Sequence, residues 1–179
     1  MNNYLSFGEQ VDLALKNEFV QSHLFVCNTP KLLVCLGAPK LPILMTRKHV
    51  LTTMNESGVY KANYHNLGVD VVKQLPDMIN NPAVVMKSTK QDDSLVLISS
   101  CVDKNNNPIV LPILLNGIGN NNVGQEIRAN ILTSAYGKEH FKVWLDKHID
   151  SNSILYVNNK ELIKLIDIGV ELSDRMPTE

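Results

Sequence analysis

Residues able to move protons or hold a phosphate without a metal gather in two stretches of the chain. The first holds the pair Lys48–His49 and, beyond it, KANYHNLG, in which Lys61 precedes His65 by four positions. The second is ILTSAYGK, which brings Thr133, Ser134, Tyr136 and Lys138 into one short run. If KANYHNLG is helical, Lys61 and His65 share a face, and as a loop they can still converge. Ser134 and Tyr136, two positions apart on a strand end, would point to one face of a sheet. A base near a ribose 2′-OH, an acid near the leaving oxygen, and donors or cations on the phosphate suffice to cleave RNA. These two stretches offer all three. Each residue also has an ordinary structural reading. His65 suits a half-buried cap, His49 an exposed helix position, and Tyr136 a packing position. His140 and His148 suit a helix surface, and His23 a strand.

Other chemistries find little support. There is no HExxH and no DxD, and Asp92–Asp93 falls in an apparent hairpin turn. Cys27, Cys35 and Cys101 are widely spaced beside apolar runs and read as small buried hydrophobes, with no CxxC or Cys/His ligand spacing. A cysteine nucleophile is open in principle, but none of the three stands in a sequence stretch that reads as exposed and electropositive. No GxxxxGK[ST] phosphate loop and no GxSxG elbow occur. GIGNNNVG (117–124) lies between two strand-like runs and reads as a flexible loop, because a dinucleotide fingerprint must open a helix. No metal and no cofactor is expected.

The elements that must position these groups follow from periodicity and punctuation. Ser6 and Glu9 have capping-box spacing, and Phe7, Val11, Leu15 and Ala14 share a helical face over residues 6–20. HLFVCN (23–28) reads as a strand, and KLLVCLG (31–37) as a strand or a short buried helix. Pro39 and Pro42 keep the next stretch extended. Thr46 is an N-cap for a helix to Met54, ended by Asn55-Glu56-Ser57-Gly58. A helix follows over VDVVKQLPDMIN, broken or restarted at Pro76. Then the character changes. AVVMKST, SLVLISSCVD, PIVLPILLNG and EIRANILTSAYG are strand-like runs joined by polar turns, which implies an antiparallel meander. An amphipathic helix (138–149), a short strand SILYVN and a helix ended by Gly169 close the chain. Helices first and strands after is an α+β order, unlike the alternation of a parallel doubly wound sheet.

The 179 residues favour one domain. Seventeen Lys and Arg against eighteen Asp and Glu, with 44% hydrophobic residues, describe an ordinary globular chain and exclude a wholly basic nucleic-acid binder. No apolar run is long enough to span a bilayer and no signal peptide is visible, so the expected compartment is the cytoplasm of a bacterial or phage-infected cell. Charge is uneven: residues 31–90 carry eight basic against three acidic residues, and 161–179 two against five. A basic half can hold a phosphate backbone, and scattered lysines can equally be a solvated surface. The organisation expected is an N-terminal helix or linker to an upstream domain (1–22), an α+β domain (23–170) and an acidic tail (171–179).

Several segments occur in a telling order: LPILMTRKHVL, HNLGVDVVKQLPDMINNPAVVMKS, DSLVLISSCVDKNNNPIVLPILLN, NILTSAYGKE and SILYVNN. Over roughly residues 25–168 they resemble the C-terminal toxin-like domain of phage MuF head-morphogenesis proteins. That family is grouped with the nuclease-like domains of the barnase–EndoU–colicin–RelE class. The matching elements fall on His65, Leu75-Pro76, Asn81-Pro82, Ile131, Ser134, Tyr136 and Leu155-Tyr156. The resemblance implies N-terminal helices packed on a four-stranded or larger antiparallel sheet with C-terminal helices at the edge, and a cleft on the open sheet face. It implies metal-independent ribonuclease activity on tRNA or other cellular RNA. His65 would be the acid or base, Lys61 a cation, and Ser134 and Tyr136 phosphate-binding or proton-transfer groups; Lys48, His49, Thr133 and Lys138 would line the substrate. A Lys usually stands further upstream of the His in that family, so Lys48 competes with Lys61. The partners expected are RNA, an immunity or antitoxin protein, and an upstream phage structural domain, with no membrane. Two other functions fit the same residues: a non-catalytic module binding a protein through the sheet face, and a nucleotide-using transferase such as an ADP-ribosylating enzyme.

Overall fold

The computed structural model describes residues 5–55 and 66–176. The chain opens with α1 (Phe7–Leu15), where Ser6 Oγ accepts from Glu9 N (3.3 Å) and the Glu9 carboxylate accepts from Ser6 N (2.7 Å). This reciprocal cap satisfies two amides that a helix start otherwise leaves bare. The buried stripe is Phe7, Gln10, Val11 and Ala14, so Leu15, expected on it, lies exposed at its margin. The shift has a cause. Gln10 uses its amide to accept from Phe25 N (2.9 Å) and donate to Phe25 O (3.1 Å), which docks α1 on the backbone of β1 (His23–Asn28).

KLLVCLG resolves as a short helix, α2 (Lys31–Cys35). The extended stretch after it is β2 (Pro42–Thr46), and Thr46 caps α3 (Arg47–Met54) by accepting from His49 N at 3.1 Å. The described chain resumes at Asn66, and Leu67 N donates to Thr53 O (3.0 Å). Helices α4 (Val69–Lys73) and α5 (Leu75–Asn80) divide at Gln74, next to Pro76, which can begin a helix but not sit within one.

The meander expected over 83–136 is present as β3 (Val84–Lys87), β4 (Ser94–Val102), β5 (Pro108–Asn120), β6 (Glu126–Leu132) and β7 (Tyr136–Gly137). Helix α6 (Phe141–Asp150), strand β8 (Ile154–Val157) and helix α7 (Asn159–Asp167) complete the chain. One eight-stranded sheet runs β1-β2-β6-β5-β4-β3-β8, with β7 also paired to β5. All pairings are antiparallel except β2 with β6. The fold is α+β.

Alternation along the strands splits the core cleanly. Val85, Leu95, Leu97, Ile109, Leu111 and Ile113 face α1–α5, whereas Val84, Met86, Val96, Ile98 and Val110 face α6 and α7. A third, smaller cluster of Leu44, Ala129 and Ile131 lies on the second face at the other end of the sheet. Gly117–Asn120, expected as part of a flexible loop, is ordinary strand; only the turn at 121–125 leaves the ladder. A Cβ on Gly119 would stand 2.7 Å from Leu44 Cδ1, and one on Gly117 2.9 Å from Ile131 Cγ1. Those glycines serve packing over a strand. The stretch read as an acidic tail packs too, as far as it is described: Ser173 and Met176 are buried, and Arg175 reaches Asp150 (2.6 Å) and Asp146 (3.3 Å) on α6. His148, expected on the helix surface, is buried, donating from Nδ1 to Trp144 O (3.0 Å) against the Trp144 ring.

Candidate functional site

The run Thr133–Lys138 lies where the sheet edge beside β5 breaks. Leu132 is opposite Ile113 and Tyr136 opposite Val110, so four steps of this segment face three of β5 and one residue is extra. The cause is Pro112. In an antiparallel pair a residue's N–H and C=O point to the same neighbour, and Pro112, which accepts from Thr133 N (3.0 Å), has no N–H to return. The run was expected to be one strand to Gly137, with Ser134 and Tyr136 on one face by alternation. That premise fails, since residues 133–135 are outside the ladder.

The break leaves unequal groups. Thr133 Oγ1 also donates to Pro112 O (3.2 Å), which commits its hydroxyl to the backbone. Ser134 is half-buried, and Ala135 drops into the first-face core. Tyr136 packs with the second-face cluster under α6, and burial pushes its phenol above the ordinary value, so it stays protonated and able to donate. Lys138 is tied by its backbone to Pro108 O (2.9 Å), and its ammonium stands 5.6 Å from the Trp144 ring centroid. Gly137 is pinned beneath Asp103, whose carboxylate accepts from the Asn105 and Asn107 amides and occupies the place a Cβ would take.

Lys48 and His49 are both exposed at the start of α3, a helix whose Val50 and Met54 join the first-face core. The structure therefore brings Tyr136 and Lys138 together around α6 and sets Lys48 and His49 on a helix of the opposite face. Lys61 and His65 lie outside the described residues. His23 is a strand residue, its Nδ1 accepting from Asn120 N (3.3 Å); burial lowers its pKa and favours the neutral ring. Among the described residues no three His, Cys, Asp or Glu side chains gather as metal ligands, and no helix is long and apolar enough to cross a membrane.

The family model for the phage MuF-C-terminal domain matches residues 57–164, more than half of the chain. The chain belongs to the phage MuF C-terminal domain family. The MuF C-terminal domain match contains Lys61, His65 and the whole run from Thr133 to Lys138, and it leaves Lys48 and His49 outside. No curated protein and no solved structure matches the chain. The MuF domain also holds a polar cleft that sequence reading passed over, of about 200 Å³, between α5, β4 and α7. There Ser100 Oγ donates to Glu161 Oε2 (2.5 Å), and Lys164 Nζ lies 2.7 and 2.9 Å from the two Glu161 oxygens. The Lys164 ammonium first, and the Ser100 hydroxyl second, hold the Glu161 carboxyl below its ordinary value. The one available signal was Glu161 three residues after the N-cap Asn158, which reads only as helix capping.

Proposed function

We propose that this MuF C-terminal domain is a metal-independent ribonuclease-type effector acting on cellular RNA. The observation that carries the reading is the extent of the family match, which takes in Lys61, His65 and the whole run from Thr133 to Lys138. His65 takes the proton of the 2′-OH as it attacks phosphorus. The leaving 5′ oxygen receives a proton, and Tyr136, kept protonated by burial, is the donor on hand. Ser134 donates to a phosphate oxygen, and Lys61 and Lys138 supply positive charge. Thr133, whose hydroxyl is committed, lines the substrate through position alone. The products are a 2′,3′-cyclic phosphate and a 5′-hydroxyl.

The test is total RNA incubated with purified protein in EDTA, followed by end mapping. Cleavage with cyclic-phosphate ends, lost in His65→Ala, is expected. Intact RNA, or cleavage that needs added Mg²⁺, overturns the reading. If wild type and His65→Ala are equally harmless when expressed in bacteria, a non-catalytic protein-binding module takes its place.

A further inference from the structure

The cleft between α5, β4 and α7 is separate from the Thr133–Lys138 corner, and its polar groups are mostly acceptors. Glu161 is 9% exposed; Ser100 and Lys164 together use three of its four acceptor sites, and withdrawal of Lys164 would leave at least one open on each oxygen. Ser100 gives its proton to Glu161 and faces the cleft as an acceptor. The exposed rim adds the Asp77 carboxylate. It also adds the side-chain carbonyls of Gln74 and Asn81, whose NH₂ groups turn back to Asp70 O (3.1 Å) and Asp77 O (3.4 Å). Met78 and Cys101 supply apolar wall. The lining holds two carboxylates and one cation, Lys164, whose side chain is 54% exposed and bonded only within its own helix turn; Lys160 acts on Glu161 from outside the lining. A phosphate would meet both carboxylates here. A planar, multiply donating cation would meet acceptors on several sides.

We propose that this cleft binds an alkylguanidinium group, with Lys164 as a resident stand-in that the incoming guanidinium displaces from Glu161. The arriving group takes both Glu161 oxygens as a fork and uses its remaining N–H groups on Ser100 Oγ and the Asp77 rim. Lys164 can leave because its own side chain is 54% exposed and its ammonium returns to water, while the incoming guanidinium keeps the buried Glu161 carboxylate paired. The guanidinium belongs either to an arginine on a partner protein or to a free small guanidine. The inference is independent of the ribonuclease reading.

The test follows backbone amide shifts of Ser100, Cys101 and Glu161 by NMR during titration with N-acetyl-arginine methylamide, methylguanidine and N-acetyl-lysine methylamide. Both guanidinium probes should shift these amides more strongly than the lysine probe. Glu161→Gln should weaken binding about tenfold or more, and Lys164→Met should tighten it, since it removes the competitor. Asp77→Asn, an exposed change, gives a milder weakening and keeps the test open if Glu161→Gln fails to fold. A preference for the arginine probe assigns the site to a protein partner, and a preference for methylguanidine to a free ligand; both support the site. No shift with either probe in wild type and Lys164→Met overturns it. So does weaker binding in Lys164→Met, because Lys164 would then be part of the receptor.

Discussion

On one side of β5 the β6–β7 edge breaks opposite Pro112, and on the other β4 bulges between Ile98 and Val102, where four steps of β4 face two of β5. The first break follows from a missing backbone donor. The second follows from a competing one: Ser99 Oγ accepts from Cys101 N (2.8 Å) and takes over a bond the ladder would have used. Both interrupt the ladder locally, as bulges do. The side chains that stand beside them differ in sign. The Pro112 side offers donors and a cation, Tyr136 and Lys138. The bulge side offers acceptors around Glu161. On the two proposals made above, one strand separates the corner assigned to a phosphate from the cleft assigned to a cation.

The largest expected effect tests whether only the first corner is reactive. If the ribonuclease reading holds, His65→Ala and Tyr136→Phe each lower the RNA cleavage rate by about 10²–10⁴. Ser100→Ala, in the opposite cleft, leaves that rate unchanged while thermal melting shows all three variants folded. An equal loss in Ser100→Ala would erase the functional distinction between the two sides.

These two interruptions also mark where the sequence was readable. Pro112 inside PIVLPILLNG is a visible warning that the neighbouring edge must break, yet the run EIRANILTSAYG was read as one strand because its own residues carry no stop. The β4 bulge has no such sign, because Ser99 acts through a bond to an amide two residues away. The meander, the capping box at Ser6 and the cap at Thr46 were legible because each is a local pattern. The burial of His148 was not, since its side chain turns back on its own helix, bonding Trp144 O and lying against the Trp144 ring. Of the candidate site, the composition of the corner was legible. The division of Lys48 and His49 from Tyr136 by the sheet is a long-range fact that no spacing carries.

The next effect is on stability. Gly137→Ala forces a Cβ into the Asp103 carboxylate, which organises the 103–107 turn through Asn105 N (2.8 Å) and Asn107 N (2.9 Å). Overpacking of this kind costs about 1–3 kcal/mol, measurable by urea denaturation. In an Asp103→Ala background the same substitution should cost much less, because the obstructing group is gone. Equal costs in both backgrounds would mean that the corner yields elsewhere.

A smaller effect distinguishes the bulge side by pH. Glu161 has its carboxyl lowered in the folded state, so its contribution is fully present above the unfolded value of about 4.3 and is lost as pH falls through the lower folded value. Its Lys164 partner is half exposed, which limits the contribution to on the order of 1 kcal/mol. Unfolding free energy measured from pH 6 down to about pH 3 should therefore fall less steeply in Glu161→Gln than in wild type. Identical slopes would show that the Ser100–Glu161–Lys164 cluster carries no charge-dependent stability.

The smallest effect concerns Lys138, the cation of the donor corner. Its ammonium rests on the face of Trp144, the chain's single tryptophan. Such a contact contributes about 0.5–1 kcal/mol where the ring is partly exposed. That is weak enough for a phosphate to draw the lysine away. Lys138→Gln removes the charge above the indole and should shift Trp144 emission, with little change in melting temperature. If Lys138 moves to the substrate, adding an uncleavable 2′-deoxy oligonucleotide to the wild type should shift emission in the same direction as the substitution does. In Lys138→Gln the oligonucleotide should produce no further shift, and the salt dependence of its binding should flatten by about 0.7 in log–log slope, one phosphate contact to a single strand. A wild-type emission unchanged by saturating oligonucleotide would leave Lys138 as a packing residue on Trp144, and the positive charge at this corner would have to come from Lys61.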